Sequence, residues 1–403
     1  MTAPRLTWEQ VRAWRLARHH LAARAPREAL LDVVSRLCGV HAQLMGSAEL
    51  TLWARVEGLE PDAVQRALWE ERSLVKTWAM RGTLHLLPAT ELGLWHAGLG
   101  TYRHYLKPAW FRGFGITPEQ LEALIEAVTD ALEGRELTRE ELARAVAERT
   151  GAPELGDKLR ESWGAFLKPV AFRGRLCFAP GEGQKVRFTR PDTWLAAAPG
   201  GGPAAAAPKG ASAGSAPDGA PAASTPWADP DAALREIARR HLGAHGPATR
   251  EDLARWWATT PAAAGRLLRS LGDDDDAVEL DVEGAPMWML DAGAREAAGL
   301  APPEGVRLLP AFDQYVIAAT RHAEALMPGP FADRVYRPQG WLSAVLLVGG
   351  RMEGTWRHER RGRRIAIAFE PFGRLPKAVR ADAEAEAERL AAFLGGEPAI
   401  SWA

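Results

Sequence analysis

The sequence predicts an α+β protein in which helices alternate with β-hairpins and the C-terminal part is rich in strands. L-T-R-E-E-L-A at 137–143 recurs as A-T-R-E-D-L-A at 248–254, and each threonine is suited to N-cap a helix with a capping box. Each copy is followed by a second helix candidate and by two strand-like runs that turn on Gly174 or Gly284. In about the last hundred residues, short apolar runs are separated by glycine turns, which is typical of a small sheet.

Two helices followed by a β-hairpin are the plan of a winged helix, a helix-turn-helix with a β wing. A third copy is expected upstream, where two helix candidates precede W-A-M-R-G-T-L-H-L-L-P. The sequence therefore predicts three tandem winged-helix motifs. In the first motif, helices are expected around 26–38 and 61–73. In the second, a helix at Lys158–Leu167 is expected before a hairpin at 170–180. In the third, a helix at 261–271 is expected before a hairpin at 278–290.

A segment without aromatic or large aliphatic residues separates two of the motifs. From Ala196 to Pro226 the chain consists mainly of alanine, proline, glycine and serine, which cannot offset the entropy of ordering itself. We expect a disordered linker there. The predicted organisation is a first motif at 1–112, a second at 113–195, the linker at 196–226, a third motif at 227–299 and the C-terminal domain at 300–403.

The C-terminal domain is predicted to be a small antiparallel sheet or barrel. R-L-L-P-A-F-D-Q-Y-V-I-A, W-L-S-A-V-L-L-V-G-G-R-M-E-G-T-W-R and R-R-I-A-I-A-F-E-P-F supply its strands. An amphipathic helix at roughly 376–394 is expected to cover the sheet.

The composition excludes several classes of protein. The 403 residues are 47% hydrophobic and 25% charged, as in soluble globular proteins. No apolar run approaches the ~20 residues of a membrane span, and the N-terminus lacks a signal-peptide core. Two distant cysteines and scattered histidines have no metal-ligand spacing, so reduced thiols, no metal and a cytoplasmic location are expected. The net charge of −1 conceals an arginine-rich run at 355–365, which favours a basic face.

The segment G-V-H-A-Q-L-M-G interrupts an apolar helical pattern with two hydrogen-bonding side chains, His41 and Gln43. Gly39 and Gly46 favour an extended or turning backbone between them. In an extended segment, residues i and i+2 point to the same side, so His41 and Gln43 would act together while Ala42 faces the core. Taken alone, the pair is better explained as two solvent-exposed or locally hydrogen-bonded side chains near a helix end.

The whole chain apart from the linker resembles the AlkZ-like DNA glycosylases, which are built from three tandem winged-helix motifs and a C-terminal β-rich domain. The resemblance rests on L-T-W-E-Q-V-R-A-W-R-L-A-R, the H-A-Q segment, R-G-T-L-H-L-L-P-A, L-L-P-A-F-D-Q-Y and G-T-W-R followed by E-P-F, in that order. The commonest catalytic signature of the family is Gln, an apolar residue, then Gln. Gln43 matches it, whereas His41 departs from it in a way that is similar to members acting on bulky antibiotic–guanine adducts.

The resemblance implies a monofunctional glycosylase that hydrolyses the N-glycosidic bond of bulky or crosslinking N7-alkylguanine adducts, with genotoxin self-resistance as a role. His41 would be a general base or water ligand, because an imidazole can accept a proton near neutral pH, and Gln43 would orient the water. A monomer that needs no cofactor and binds double-stranded DNA containing alkylated guanine, in the cytoplasm and on the nucleoid, is expected. Asp313 is expected to anchor a turn. The DNA contacts are expected from Arg81, His85, Lys107, Arg360, Arg361, Arg363 and Arg364.

Each of these assignments has an alternative. Arg81 and His85 are equally explained as wing residues that satisfy local backbone groups. Lys107 is better explained as a surface lysine. The four C-terminal arginines could form only a solvated turn, but four arginines within five residues favour DNA contact. A non-catalytic winged-helix protein, such as a regulator or an architectural factor, is the alternative function, and an interaction scaffold is a more distant one.

Overall fold

The computed structural model describes residues 5–162, 164–183, 185–198, 227–274, 276–320 and 324–403. The chain forms two compact units. The discontinuous unit combines Met1–Ala63 with Ala238–Ala403, and the continuous unit is Val64–Ile237. Residues 199–226, most of the predicted linker, lie outside the described residues. The five-part division predicted from the sequence stays a prediction.

Helices and strands alternate along both units, which confirms the predicted α+β class. The α-helices are α1 (Trp8–Arg18), α2 (Leu30–Arg36), α3 (Met45–Trp53), α4 (Ala63–Trp69), α5 (Leu92–Leu99), α6 (Pro108–Phe114), α7 (Pro118–Ala131), α8 (Arg139–Thr150), α9 (Pro153–Glu161), α10 (Leu167–Phe172), α11 (Pro191–Ala196), α12 (Pro230–His245), α13 (Arg250–Trp257), α14 (Pro261–Asp273), α15 (Asp291–Ala298), α16 (Gln314–Ile317), α17 (Ala332–Val335) and α18 (Lys377–Phe393). None of the helices in these described ranges is both long enough and apolar enough to cross a membrane.

The strands pair mostly with their neighbours in sequence. They are β1 (Arg5–Leu6), β2 (Val40–His41), β3 (Leu74–Trp78), β4 (Leu84–Pro88), β5 (Leu137–Thr138), β6 (Cys177–Glu182), β7 (Lys185–Thr189), β8 (Ala277–Val282), β9 (Ala285–Leu290), β10 (Val306–Leu309), β11 (Val345–Val348), β12 (Arg351–Arg361), β13 (Arg364–Pro371) and β14 (Glu397–Trp402). In the continuous unit β3 pairs with β4, and β7 lies between β5 and β6. In the discontinuous unit β8 lies between β1 and β9.

The helix starts predicted from the capping boxes of the two repeat copies are confirmed, and α1 begins in the same way at Thr7. Thr7, Thr138 and Thr249 each accept a hydrogen bond from the backbone N–H three residues on, and the residue at that position bonds back to the threonine N–H. Each box satisfies two backbone N–H groups that a helix leaves unpaired at its N-terminus. The two copies of the internal repeat therefore begin α8 and α13 in the same way.

The elements predicted after the first repeat copy are wrong in their bounds. The expected helix at Lys158–Leu167 is interrupted: α9 ends at Glu161, Gly164 has a positive φ of 85°, and α10 begins at Leu167. The V-A-F run belongs to α10, and the hairpin turns at Gly183 rather than Gly174. A short buried apolar run fits a helix and a strand equally well, which is why the sequence pattern was misleading.

The hairpin predicted after the second repeat copy is confirmed. β8 and β9 pair antiparallel around Gly284, whose φ of 93° is accessible to glycine at little cost. Met287 and Met289 of β9 pack with Val11 and Trp14 of α1 in one core cluster. The start of the chain is thus held in the discontinuous unit by residues far along the sequence.

The C-terminal sheet differs from the prediction in one strand. Its order is β10-β11-β12-β13-β14, and the first three pairings are antiparallel as predicted. β14 instead runs parallel to β13. The helix α18, predicted at 376–394, connects these two strands and so supplies the long crossover that a parallel pair requires.

Two buried histidines of the discontinuous unit face each other. His19 Nε2 lies 3.1 Å from His245 Nδ1, and both side chains are almost completely buried. Burial is the main cause that lowers the pKa of each imidazole well below its ordinary value, and the nearby charges of Arg15 and Arg55 lower it further. Both rings are therefore neutral in the folded protein at neutral pH.

This pair predicts that acid destabilises the fold. Below about pH 6.5 the unfolded chain binds protons that the folded chain does not, so the free energy of unfolding falls by up to about 1.4 kcal/mol per pH unit for each histidine. Urea unfolding between pH 7.5 and 5.5 measures this slope. In His245→Gln we expect the slope of the unfolding free energy against pH to be smaller by the contribution of one histidine, up to about 1.4 kcal/mol per pH unit. An unchanged slope would mean that His245 is already protonated in the folded state.

Candidate active site

The H-A-Q segment begins in the short strand β2, which ends at His41, and the chain bends at Gln43. Cys38 and Gly39 have positive φ values of 59° and 87°, which end α2 and turn the chain into the short strand β2. His41 is only 4% exposed and Ala42 is completely buried, whereas Gln43 is exposed. The segment thus presents one anchored and one accessible hydrogen-bonding side chain, with alanine in the core between them.

The His41 ring is stacked on Phe312. The two ring centroids are 4.8 Å apart and the planes differ by 16°. Phe312 has a φ of 60°, a left-handed conformation that costs free energy for a side chain of this size. The surrounding structure therefore has to hold Phe312 in place, and it holds His41 with it.

A buried ion pair holds the residue that follows Phe312. Arg55 donates from Nη1 and Nη2 to the two carboxylate oxygens of Asp313, both at 2.7 Å, and both side chains are completely buried. Arg55 also donates to the Thr51 carbonyl, and Asp313 accepts the backbone N–H of Tyr315 at 2.8 Å as the N-cap of α16. The expectation that Asp313 anchors a turn is confirmed.

A pocket of 490 Å³ lies beside this arrangement in the discontinuous unit. Leu44, next to Gln43, and Ala311, next to Phe312, are both in its wall. Trp341 lies at the pocket with its ring edge-on to Phe312, at a centroid separation of 5.0 Å. The remaining lining residues are Gly46, Ser47, Glu49, Leu50, Pro310, Arg337, Ser343, Ala344, Trp356, Arg357, His358, Phe393 and Leu394.

The C-terminal arginines lie at an exposed hairpin turn. Arg360 and Arg361 end β12, Arg363 and Arg364 lead into β13, and Gly362 makes the turn with a φ of 63°. All four side chains are exposed. Arg360 donates to the Leu394 carbonyl and Arg361 pairs with Glu359, so the turn is a basic surface that is partly engaged with its own chain.

The three other predicted DNA contacts lie in the continuous unit. His85 is completely buried; its Nδ1 is 3.0 Å from the Thr83 carbonyl and its Nε2 is 3.4 Å from Arg81 Nη2. Because the arginine can only donate, this geometry assigns the ring proton to Nδ1. Lys107 is exposed at the N-cap of α6. His85 is thus placed to support Arg81.

Sequence reasoning missed a neighbouring lysine and two aromatic residues. Lys168 packs against Gly82. The pKa of His104 is lowered mainly by burial, and the positive charges of Lys168 and Lys107 lower it further. No motif pointed to Lys168. Phe312 lies in the motif L-L-P-A-F-D-Q-Y, but nothing in that motif assigns it to the site. No sequence pattern around Trp341 indicates a role in the site.

Comparisons with known proteins agree over most of the chain. The family described as "DNA glycosylase AlkZ-like" matches residues 34–393. A curated protein of Streptomyces sahachiroi, named "Interstrand DNA cross-link repair glycosylase", is 37% identical over 351 residues, which are 87% of each chain. The solved structure of Streptomyces sahachiroi DNA glycosylase AlkZ superposes with a TM-score of 0.82 at 34% identity, covering 99% of this chain and 100% of that one.

Proposed function

Because the chain belongs to the AlkZ-like DNA glycosylase family, we propose that it hydrolyses the N-glycosidic bond of bulky or crosslinking N7-alkylguanine adducts in double-stranded DNA. The observation that carries the proposal is the short segment on which His41 is anchored by a stacked ring and Gln43 is exposed. The relative from Streptomyces sahachiroi, named for repair of interstrand crosslinks, supports including crosslinked guanine among the substrates. Self-resistance to a genotoxin is the biological role that follows.

The alkylated purine is already cationic, so it can leave without being protonated by a general acid. The bond between C1′ and N9 breaks, its electron pair neutralises the alkylated purine, and the sugar acquires oxocarbenium character. A water oxygen then bonds to C1′, and one water proton passes to His41 and on to solvent, leaving an abasic sugar and free N7-alkylguanine. Holding the water in line supplies much of the rate enhancement.

The two side chains divide this work. His41 accepts the proton, since a neutral imidazole carries one acceptor nitrogen and can take up a proton near neutral pH. Gln43 can both donate to and accept from a water, so it orients the nucleophile. Stacking on Phe312 fixes the plane of the His41 ring, and the Arg55–Asp313 pair fixes the backbone beside Phe312. The catalytic geometry is therefore held by buried groups.

DNA binding is assigned to three winged-helix motifs and to basic side chains. Helices followed by hairpins occur as α8, α9 and α10 with β6–β7, and as α13 and α14 with β8–β9, and helices also precede β3–β4. Exposed arginines suit the phosphate backbone because the planar guanidinium donates in a fork. The proposed contacts are Arg81, supported by His85, and Lys107, Arg360, Arg361, Arg363 and Arg364.

The direct test is release of base from modified DNA. Duplexes carrying N7-methylguanine, a bulky N7-alkylguanine or an N7-linked interstrand crosslink are incubated with the protein, and abasic sites are counted after alkaline cleavage. We expect abasic sites in at least one modified duplex and none in unmodified DNA. Binding measured on the same duplexes separates the alternative: a protein that binds DNA but releases no base from any of them is a non-catalytic DNA-binding protein.

A further inference from the structure

The 490 Å³ pocket described above is lined by residues other than the proposed catalytic pair. Its volume lies within the range that encloses a small organic ligand, and its walls combine two indoles with aliphatic side chains and a few polar groups. Trp356 forms a fixed wall, because it is 5% exposed and its indole N–H donates to the Leu309 carbonyl at 2.9 Å. The pocket is thus preformed and suited to a planar apolar group.

The mouth of the pocket leaves large apolar side chains in contact with solvent. Trp341 is 45% exposed and Leu44 is 41% exposed. Exposed apolar groups gathered at one opening mark a binding surface more often than singly scattered ones do. Arg337, also at this opening, is exposed and makes no ion pair within the described part of the chain. An apolar ligand attached to an anionic backbone could contact Trp341 and Leu44 with its apolar part and Arg337 with its charge.

The pocket lies beside the segment that carries the proposed catalytic pair, although His41 and Gln43 do not line it. His41 stacks on Phe312, and Phe312 meets Trp341 edge-on, so three aromatic rings lead from His41 to the mouth. Leu44, beside Gln43 in the chain, forms the other side of the same mouth. A group in the pocket is therefore next to any nucleotide that His41 and Gln43 act on.

From this juxtaposition we propose that the pocket binds the planar aromatic substituent carried on N7 of the damaged guanine. The proposal rests on the proposed function and names its substrate class: adducts whose N7 substituent contains fused aromatic rings. The substituent stacks on Trp341 and occupies the cavity, while His41 and Gln43 hold water at C1′ of the same nucleotide. Selectivity for bulky adducts then comes from contacts between the pocket and the N7 substituent, not from contacts to the atoms that react.

Two variants test the pocket by opposite changes. Trp341→Ala removes the stacking surface. Gly46→Leu adds bulk to the wall, and a Cβ at Gly46 meets no atom within 4 Å, so the added side chain has space in the fold but occupies the cavity. Gly46→Ala is the matched control for the second variant. Leu31→Ala, which trims an exposed side chain outside the pocket, is the control for the first.

The measurement is the ratio of kcat/KM for two duplexes, one with a fused-ring aromatic substituent on N7 of guanine and one with N7-methylguanine. Stacking of a planar base on an aromatic side chain contributes about 1–3 kcal/mol, so we expect Trp341→Ala and Gly46→Leu to lower this ratio by about 5- to 150-fold. Gly46→Ala and Leu31→Ala should leave it unchanged. Circular dichroism checks that each variant is folded.

The outcomes separate this inference from the proposed function. If the wild-type protein excises both adducts but neither pocket variant changes the ratio, the pocket does not bind the substituent. If both substrates lose rate equally in both variants, the pocket serves the base or the fold and the inference is overturned. If the wild-type protein excises neither adduct, the proposed function fails, and this inference fails with it.

Discussion

Replacing His41 by alanine should lower the rate of base excision from N7-alkylguanine DNA by about 10²–10⁴-fold, the usual contribution of a positioned acid–base group. The loss should fall on the single-turnover rate and leave DNA affinity nearly unchanged, because His41 is only 4% exposed and offers little surface to a phosphate. Single-turnover excision and DNA binding by fluorescence anisotropy measure the two quantities separately.

Gln43→Ala should also lower the rate of excision. Because the two side chains hold one water, the double variant should be hardly slower than the slower of the two single variants. His20→Asn is a matched control: it removes a partly buried histidine of the same unit at a positive φ of 54°, which asparagine tolerates. An unchanged rate in the His41 and Gln43 double variant would move the catalytic site elsewhere.

His41→Gln separates the two roles open to His41. It restores the commonest form of the family signature and keeps a hydrogen-bonding side chain, but it cannot take up a proton. If His41 is a general base, the acid limb of the pH–rate profile should be present in the wild-type protein and absent in His41→Gln. If His41 only positions water, both profiles should have the same shape.

Asp313→Ala should destabilise the discontinuous unit by about 3–5 kcal/mol, since it leaves the charge of Arg55 buried without a partner. Urea unfolding of the purified protein measures the loss. Excision should fall as well, because Phe312 is the residue before Asp313 and its ring holds His41.

Two controls make this prediction specific. Glu359→Ala breaks the exposed Arg361–Glu359 pair, which has the same 2.7 Å separation, and should cost less than about 1 kcal/mol. Replacing both buried partners, as Arg55→Met with Asp313→Leu, should be much less destabilising than Asp313→Ala alone. A loss below about 1 kcal/mol in Asp313→Ala would show that Arg55 finds another partner or water.

Local signals in the sequence predicted local structure well. The capping boxes at Thr7, Thr138 and Thr249 are complete within four residues each, and Gly284 determines its hairpin by its own conformation. The V-A-F run of α10 was misassigned because its conformation is decided by the packing around it rather than by its own pattern.

The candidate site was only half predictable for a related reason. His41 and Gln43 stand together in the sequence, so their spacing and the resemblance to the family identified them. Phe312 and Trp341 come from distant segments, and nothing local marks them as neighbours of His41. Two residues that stack in the fold leave no periodicity in a single sequence.

The discontinuous unit also has a consequence for the order of events on the ribosome. His41 and Arg55 are synthesised early, yet Phe312 and Asp313 emerge only after the whole continuous unit has been translated. At translation rates of about 5–20 residues per second, the nascent His41 segment waits at least ~10 s for its partners. A chain that terminates before Asp313 therefore lacks the support of the proposed catalytic segment, so incomplete translation products should not excise bases from DNA.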